Sequence, residues 1–185
     1  MTDDQLYQAY LAGDSAAGDK LMLRYADVLT AYLDGLLHNP EDAEDLMLEC
    51  FTVILVDKPR IMEGYFRAYL FKMARNKSNR LWKHRFKRQE FSLDEQEAET
   101  ILSPVPEPEA AILQTERSAA LQRCLNRIAP QYREALFLVY AAGLSYAQAA
   151  EIRGMSTGQI HSLLDEGKKR MRRELEKEGI TDVDT

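Results

Sequence analysis

YFRAYLFKMARNKSNRLWKHRFKR, residues 65–88, is the stretch on which the reading of the fold turns. Phe66, Tyr69, Leu70, Met73 and Ala74 recur at intervals of three and four, so the first half predicts a helix with a buried stripe. Nine basic side chains, Arg67, Lys72, Arg75, Lys77, Arg80, Lys83, Arg85, Lys87 and Arg88, fall within it without one Asp or Glu, although the chain carries a formal net charge of -6. A cationic face of this kind repels itself and needs an anionic partner. Tyr65, Tyr69, Phe71, Trp82 and Phe86 add flat apolar rings. Cations on phosphates and rings on bases are the combination that grips unstacked nucleic acid. At helical spacing Phe66, Tyr69 and Phe71 read as packing residues, whereas Trp82 and Phe86, set among cations beyond the apolar stripe, suit either contact or core.

The segment leading into this helix, DKPRIMEG from Asp57 to Gly64, holds Pro59 and Gly64 and reads as a loop. Its Ile61 and Met62 are unusually apolar for a loop, so they either plug the core or meet a ligand. Upstream, Asn39, Pro40, Glu41 and Asp42 make a helix start, with Asn as the cap, Pro in the first turn and acids at the positive end of the dipole. That helix runs to about Val56 with one apolar face, Leu46, Cys50, Phe51 and Ile54, and an acidic stripe of Asp42, Asp45 and Glu49. The dipole accounts for Asp42 but not for Asp45 and Glu49, which suggest a docking surface. Two helices precede it. One, from Thr2 to Gly13, carries Leu6, Tyr7, Tyr10 and Leu11; the other, capped by Ser15 and closing near His38, buries Leu21, Tyr25, Val28, Leu29, Tyr32 and Leu36.

After Arg88 the composition inverts. Between Glu90 and Glu116 there are eight acids, no Lys or Arg, and prolines at 104, 106 and 108, the signature of a linker between two domains. Beyond it, Glu109 to Ile128 predicts a helix, and Pro130 opens another that closes on Gly143. Ser145 with Gln148 and Ser156 with Gln159 each fit a capping box, and Gly154 lies between them as a helix stop. The result is a helix-turn-helix, Tyr146–Arg153 followed by Ser156 to about Glu176. In the second helix Ile160, Leu163, Leu164, Gly167 and Met171 face inward, leaving Thr157, His161, Ser162, Asp165, Glu166, Lys168 and Lys169 outward. Small Ala149 and Ala150 at the crossing and the basic end KKRMRR favour DNA reading.

With 185 residues and 45% apolar content, the chain suits one ordinary domain or two small ones. Period-two alternation never persists, so the expected fold class is all-α: two small helical domains joined by a flexible acidic linker. Cys50 and Cys124 are far apart with no CxxC, which suggests neither a zinc site nor a disulfide framework, but buried, reduced thiols. The most apolar run, Ala135 to Leu144, is too short to span a bilayer, and no signal peptide opens the chain; a cytoplasmic protein without membrane insertion is expected. There is no P-loop, and His38, His84 and His161 are scattered, so an enzyme, a cofactor and a metal site are not expected.

Three motifs in order, NPEDAEDLMLECF, FRAYLFKMARNKSNRLWKHR and LNRIAPQYREALFLVYAAGLSYAQAAEIRGMSTGQIHSLLDEGKKRMRREL, resemble the extracytoplasmic-function (ECF) group of sigma-70 family sigma factors, from about Asp14 to Leu175. The resemblance implies a domain over 1–88 that binds core RNA polymerase and reads the minus-10 element, a linker over 89–109, a helix-turn-helix domain over 110–178 that reads the minus-35 element, and a tail over 179–185. It implies docking on the beta-prime coiled coil through Asp45, Glu49 and Leu46, with Leu48 standing where many members have Gln, and a second polymerase contact on the beta flap. It implies that Ile61 and Met62 capture a flipped minus-10 base, with Asn76 as the foremost reader beside Arg75, Asn79, Arg80, Trp82 and Lys83. In the second domain Ser156, Thr157, Gln159, His161, Ser162, Asp165, Lys168 and Lys169 fall to the major groove; Asp165 and Glu166 depart from the aromatic or basic residues often found there. An anti-sigma factor as a further partner, a chain that is monomeric when free, and promoter opening without catalysis complete what it implies. The principal alternative is a stand-alone helix-turn-helix regulator, a homodimer that binds duplex operators without polymerase.

Overall fold

A computed structural model describes the backbone of residues 1–92 and 116–180, and within these the side chains of all but 86, 88–92 and 116–119. Helices are the regular structure throughout the described residues, with no strand among them. The chain divides into two compact units, one on each side of the segment between residues 92 and 116. The binding role considered for Phe86, the linker proper and the end of the tail lie outside the described residues.

The first unit is built from α1 (Asp3–Leu11), α2 (Ser15–Leu37), α3 (Pro40–Thr52) and α4 (Phe66–Ser92), with a π turn over Val53–Asp57 continuing α3. Local chemistry sets the helix ends. Thr2 and Gln5 form a capping box at α1, and Asn39 Oδ1 accepts the Asp42 N–H at 3.2 Å at α3. The cap of α2 is Asp14, not Ser15: its carboxylate accepts the Ala16 N–H at 3.1 Å, and Ser15 is the first helical residue. Either side chain suits a cap, and the ionised one also complements the dipole. Helix α2 ends at His38, which adopts a left-handed conformation with φ 52°.

The core of this unit lies between α2 and its neighbours. Leu21, Tyr25, Leu29, Tyr32, Leu33 and Leu37 are buried along α2, so the stripe drifts from the expected Val28 and Leu36, both half-buried, onto Leu33 and Leu37. From α4 come Phe66, Leu70, Phe71 and Ala74, while Tyr69 and Met73 are only half-buried. Phe66 packs its ring 5.4 Å from Tyr7 and 5.9 Å from Tyr25, and Phe71 meets Tyr32 edge-on at 5.2 Å. The basic helix continues past Arg88 to Ser92.

The second unit holds α5 (Glu116–Arg127), α6 (Pro130–Leu136), α7 (Tyr146–Arg153) and α8 (Thr157–Lys177), with a second π turn over Phe137–Ala141. Both expected capping boxes are formed, Ser145 with Gln148 and Ser156 with Gln159, and Gly154 takes φ 66° between the two helices. Ile160, Leu164 and Gly167 are buried as expected, Leu163 and Met171 half-buried. Gly167 is where α6 passes closest: a Cβ there would lie 3.3 Å from Leu136. Arg153 closes α7 onto α6, pairing with Glu134 at 2.7 Å and donating to the Gln131 carbonyl at 2.8 Å.

Candidate nucleic-acid interface

Helix α4 shows two faces of different kind. Lys72, Asn76, Asn79, Arg80 and Lys83 follow one another at intervals of three, four and one, a single side of the helix, and all but half-buried Lys72 are exposed. Two carboxamides thereby stand in a cationic frame, each offering a donor and an acceptor to a base edge. Arg75 is half-buried at the margin of this face. Towards the start of α4, Tyr65 (43% exposed) and half-buried Tyr69 extend the same side, and Met62 is 73% exposed in the loop just before. Sequence reading put Tyr69 in the core; the structure leaves part of its ring at the surface.

Three other cations of α4 are engaged within the unit. Lys77 pairs with Glu49 at 2.9 Å and Arg85 with Asp42 at 2.6 Å, while Arg67 lies 3.4 Å from Asp3 and donates to the Tyr25 hydroxyl at 2.8 Å. Part of the anionic partner that a cationic helix requires is therefore α3 itself. Asp3 is pulled two ways: burial raises its pKa, but the hydrogen bond from Tyr25 and the guanidinium groups of Arg24 and Arg67 outweigh that and hold it below the ordinary value. Trp82 combines the two roles left open for it, with its indole N–H donating to the Leu36 carbonyl at 3.2 Å and the residue 38% exposed.

The acidic face of α3 is narrower than expected. Asp45 and Glu49, four residues apart, are both exposed. Leu46, assigned to that face, is only 7% exposed, because its four-residue spacing aligns it with buried Cys50. In its place Leu48 (48%) and Val56 (71%) bring apolar surface beside the two acids. Val56 follows Asp45, Glu49 and Thr52 at intervals of four, three and four, so helical spacing itself places it on the acidic side, away from Cys50 and Ile54. Ile61 is half-buried, so the two apolar loop residues divide between packing and display.

On α8, Ser156, Thr157, Gln159, His161, Ser162, Asp165, Lys168 and Lys169 are all exposed. Ser156 and Gln159 hold the helix start through their reciprocal hydrogen bonds, and the Ser162 hydroxyl donates to the Gly158 carbonyl at 3.2 Å. Glu166, expected outward, is half-buried and pairs with Arg170 at 2.8 Å. The His161 ring stands edge-on to Tyr146, centroids 4.4 Å apart, and Lys168 Nζ lies 5.2 Å from the centre of the Tyr140 ring. The Lys168 ammonium beside Tyr140 lowers that phenol's pKa, and its own is raised in return. Among the described residues no cluster of three or more His, Cys, Asp or Glu is placed to hold a metal ion, and no helix is long and apolar enough to cross a membrane.

The comparisons with known proteins agree with this arrangement. The family described as "Sigma-70, region 4" matches residues 118–171, which contain α7 and most of α8. The chain is 27% identical over 163 residues to the ECF RNA polymerase sigma factor SigE of Mycolicibacterium smegmatis, covering 86% of this chain and 63% of that protein. It is 29% identical over 163 residues to the ECF RNA polymerase sigma factor BldN of Streptomyces coelicolor, covering 86% of this chain and 60% of that one. It thus spans about three fifths of the length of these two relatives. In fold it is similar to the sigma factor RpoE of Bartonella quintana in complex with the anti-sigma factor NepR, with a TM-score of 0.64, 23% identity, and coverage of 85% of this chain and 96% of that one. It is also similar to CnrH in complex with the cytosolic domain of CnrY, with a TM-score of 0.59, 20% identity, and coverage of 94% and 97%. This two-unit helical chain, with a basic helix in one unit and a helix-turn-helix in the other, is thus similar to proteins of the sigma-70 class. Within that class its relatives are ECF RNA polymerase sigma factors, to which it is similar over 86% of its length.

Proposed function

We propose that this chain is a promoter-specificity subunit of bacterial RNA polymerase that directs initiation from its own set of promoters, acting in the cytoplasm without catalysis. The observation that carries the reading is the outward side of α4, where Asn76 and Asn79 stand among Lys72, Arg80 and Lys83, with exposed Met62 in the loop that leads into the same helix. A protein that reads only duplex DNA through a helix-turn-helix has no use for this second surface. Amides, cations and an apolar loop side chain together suit bases that have left the stack. On this reading residues 1–88 bind core polymerase and the minus-10 strand, 89–109 are the linker, and 110–178 read the minus-35 duplex.

Docking falls to Asp45 and Glu49 with Leu48 and Val56 beside them, against the beta-prime coiled coil, and the second unit meets the beta flap. Ile61 and Met62 receive a flipped base, with Asn76, Asn79, Arg75, Arg80, Lys83 and the exposed part of Trp82 along the strand. In the second unit Thr157, His161, Ser162, Asp165, Lys168 and Lys169 face the groove, with Ser156 and Gln159 holding the helix start there. Binding the melted strand better than the duplex shifts the equilibrium towards the open promoter, which requires no hydrolysis. An anti-sigma factor that covers the same faces would keep the free chain inactive as a monomer.

Run-off transcription on fragmented genomic DNA with purified core polymerase tests this. Discrete transcripts that appear only when the chain is added are expected. Their absence, together with tight duplex binding by a dimer of the chain alone, would favour a stand-alone regulator.

A further inference from the structure

Successive turns of α1 each send one side chain to the segment that joins α3 to α4. The Tyr10 hydroxyl donates to the Leu55 carbonyl at 2.6 Å, and the Tyr7 hydroxyl donates to the Pro59 carbonyl at 2.7 Å. The Gly64 N–H donates to Asp4 Oδ2 at 3.0 Å. Asp4, Tyr7 and Tyr10 are spaced by three, so they lie along one side of α1, and their partners run in the opposite order along the chain. These contacts span 45, 52 and 60 residues of sequence, so no local preference makes them.

Each anchor suits the backbone it holds. Leu55 lies in the π turn and Pro59 just beyond it, where carbonyls at a helix end have no partner in the ladder. Gly64 lies just ahead of α4, where a carboxylate is favoured by the dipole. Tyr10 reaches Leu55 only because α2 offers it a bare backbone. A Cβ on Gly18 would lie 2.7 Å from the Tyr10 ring and 3.2 Å from Leu55 Cδ2. Tyr7 is 2% exposed, and its ring packs on Phe66, the first residue of α4. Between the two tyrosine anchors Lys58 adopts a left-handed conformation, φ 47°, which a side chain with a Cβ adopts at a cost of about 1 kcal/mol and keeps only when its surroundings impose it.

We infer that α1 is the positioning element for base capture: Asp4, Tyr7 and Tyr10 fix both ends of the loop, so that Arg60 to Glu63, with Ile61 and Met62 among them, hold one shape for an unpaired base. The inference rests on the reading of that loop given above. Fixing the ends removes conformational freedom that binding would otherwise have to remove. It also sharpens discrimination, because a loop that cannot adapt rejects a base that does not fit. The three residues act through the loop and are positioning residues.

The test uses the full chain with Tyr7→Phe and Tyr10→Phe, singly and together; phenylalanine keeps each ring and removes only the hydroxyl. Amide hydrogen exchange of the free protein reads the anchoring without polymerase. In the double variant, amides of residues 57–64 are expected to exchange roughly tenfold faster, with α2 and α3 unchanged, which is the scale of losing one or two hydrogen bonds. Gly18→Ala, which displaces the Tyr10 ring, should act in the same direction. With core polymerase, the preference for the best base over its substitutes at the captured minus-10 position should fall roughly fivefold, while polymerase binding stays the same. Unchanged loop exchange would overturn the anchoring. Faster exchange with an unchanged base preference would overturn the positioning role. Wild-type chain that supports no promoter-dependent transcription would remove the base-capture reading itself, while the exchange result still decides whether α1 anchors the loop.

Discussion

Lys77 Nζ lies 2.9 Å from Glu49 Oε2, joining the cationic helix to the acidic side of α3. The lysine side chain is 23% exposed and the glutamate 59%, so Glu49 belongs at once to the packing of the unit and to its surface. Asp45 lies one turn away on the exposed side. Charge reversal at Asp45 therefore tests docking more cleanly than reversal at Glu49, which would also set two cations against each other. Asp45→Lys should weaken binding to core polymerase at least about tenfold, while thermal unfolding shifts by no more than about 0.5 kcal/mol, as for an exposed substitution. Co-purification with core polymerase and a melting curve measure the two effects. Retained binding would place the docking face elsewhere.

Asn76→Ala should leave stability and polymerase binding as they are, because the side chain is exposed on the outward side of α4. A good amide–base pair contributes about 1–3 kcal/mol of discrimination, so promoter-dependent run-off should fall by about five- to a hundredfold. Undiminished transcripts would move base reading to other residues of the helix.

Arg153 and Glu134 form an enclosed ion pair in the second unit, with side chains 10% and 9% exposed. Removing Arg153 takes a close cation away from an enclosed carboxylate, so Arg153→Leu should destabilise this unit by up to about 3–5 kcal/mol. The double variant Arg153→Leu with Glu134→Leu should regain much of that loss, since the enclosed carboxylate is removed as well. Denaturant unfolding of the four variants in a double-mutant cycle reads the coupling directly. An Arg153→Leu protein of wild-type stability would mean that water and other donors suffice for the Glu134 carboxylate.

Stability of the first unit should decline at both pH extremes. Burial pushes the Cys50 thiol up to about 12 from its ordinary 9.0 and the Tyr25 phenol up to about 12 from 10.0. Their contributions are complete below the ordinary values and are lost as pH rises from about 9 towards 12. On the acid side Asp3 is held below 3.8, so its contribution is present above that value and is lost as pH falls through the folded one. Urea midpoints across pH measure both limbs. Cys50 and Cys124 are each 0% exposed, and both thiols are shifted upward, so a thiol reagent at pH 8 should label each only as fast as its own unit opens. Fast labelling of either cysteine in the native protein would contradict the burial.

Short-range chemistry was the legible part. Asn39 with Pro40, Ser145 with Gln148, and Ser156 with Gln159 are contained within four residues, and each forms the helix start that its spacing predicts. The choice between Asp14 and Ser15 was not legible, because adjacent residues can both cap and tertiary packing decides. Neither π turn has a local sequence mark, whereas the exposure of Val56 follows from its spacing to Asp45 and Glu49 and was legible. Tyr7 and Tyr10 read as members of an apolar stripe, which they are; the hydroxyl partners that distinguish them lie 52 and 45 residues away. Trp82 was divided between core and contact for the same reason, its acceptor Leu36 being 46 residues distant.

The ring of Tyr146 against His161 has a practical consequence for anyone wishing to redirect this protein. His161 stands on the outward side of α8, but its imidazole packs edge-on against Tyr146 of α7. Exchanging the exposed side chains of α8 for those of another protein would transplant the chemistry of the surface without its geometry. A working graft has to carry the start of α7 with it, and the unit of exchange is the helix pair.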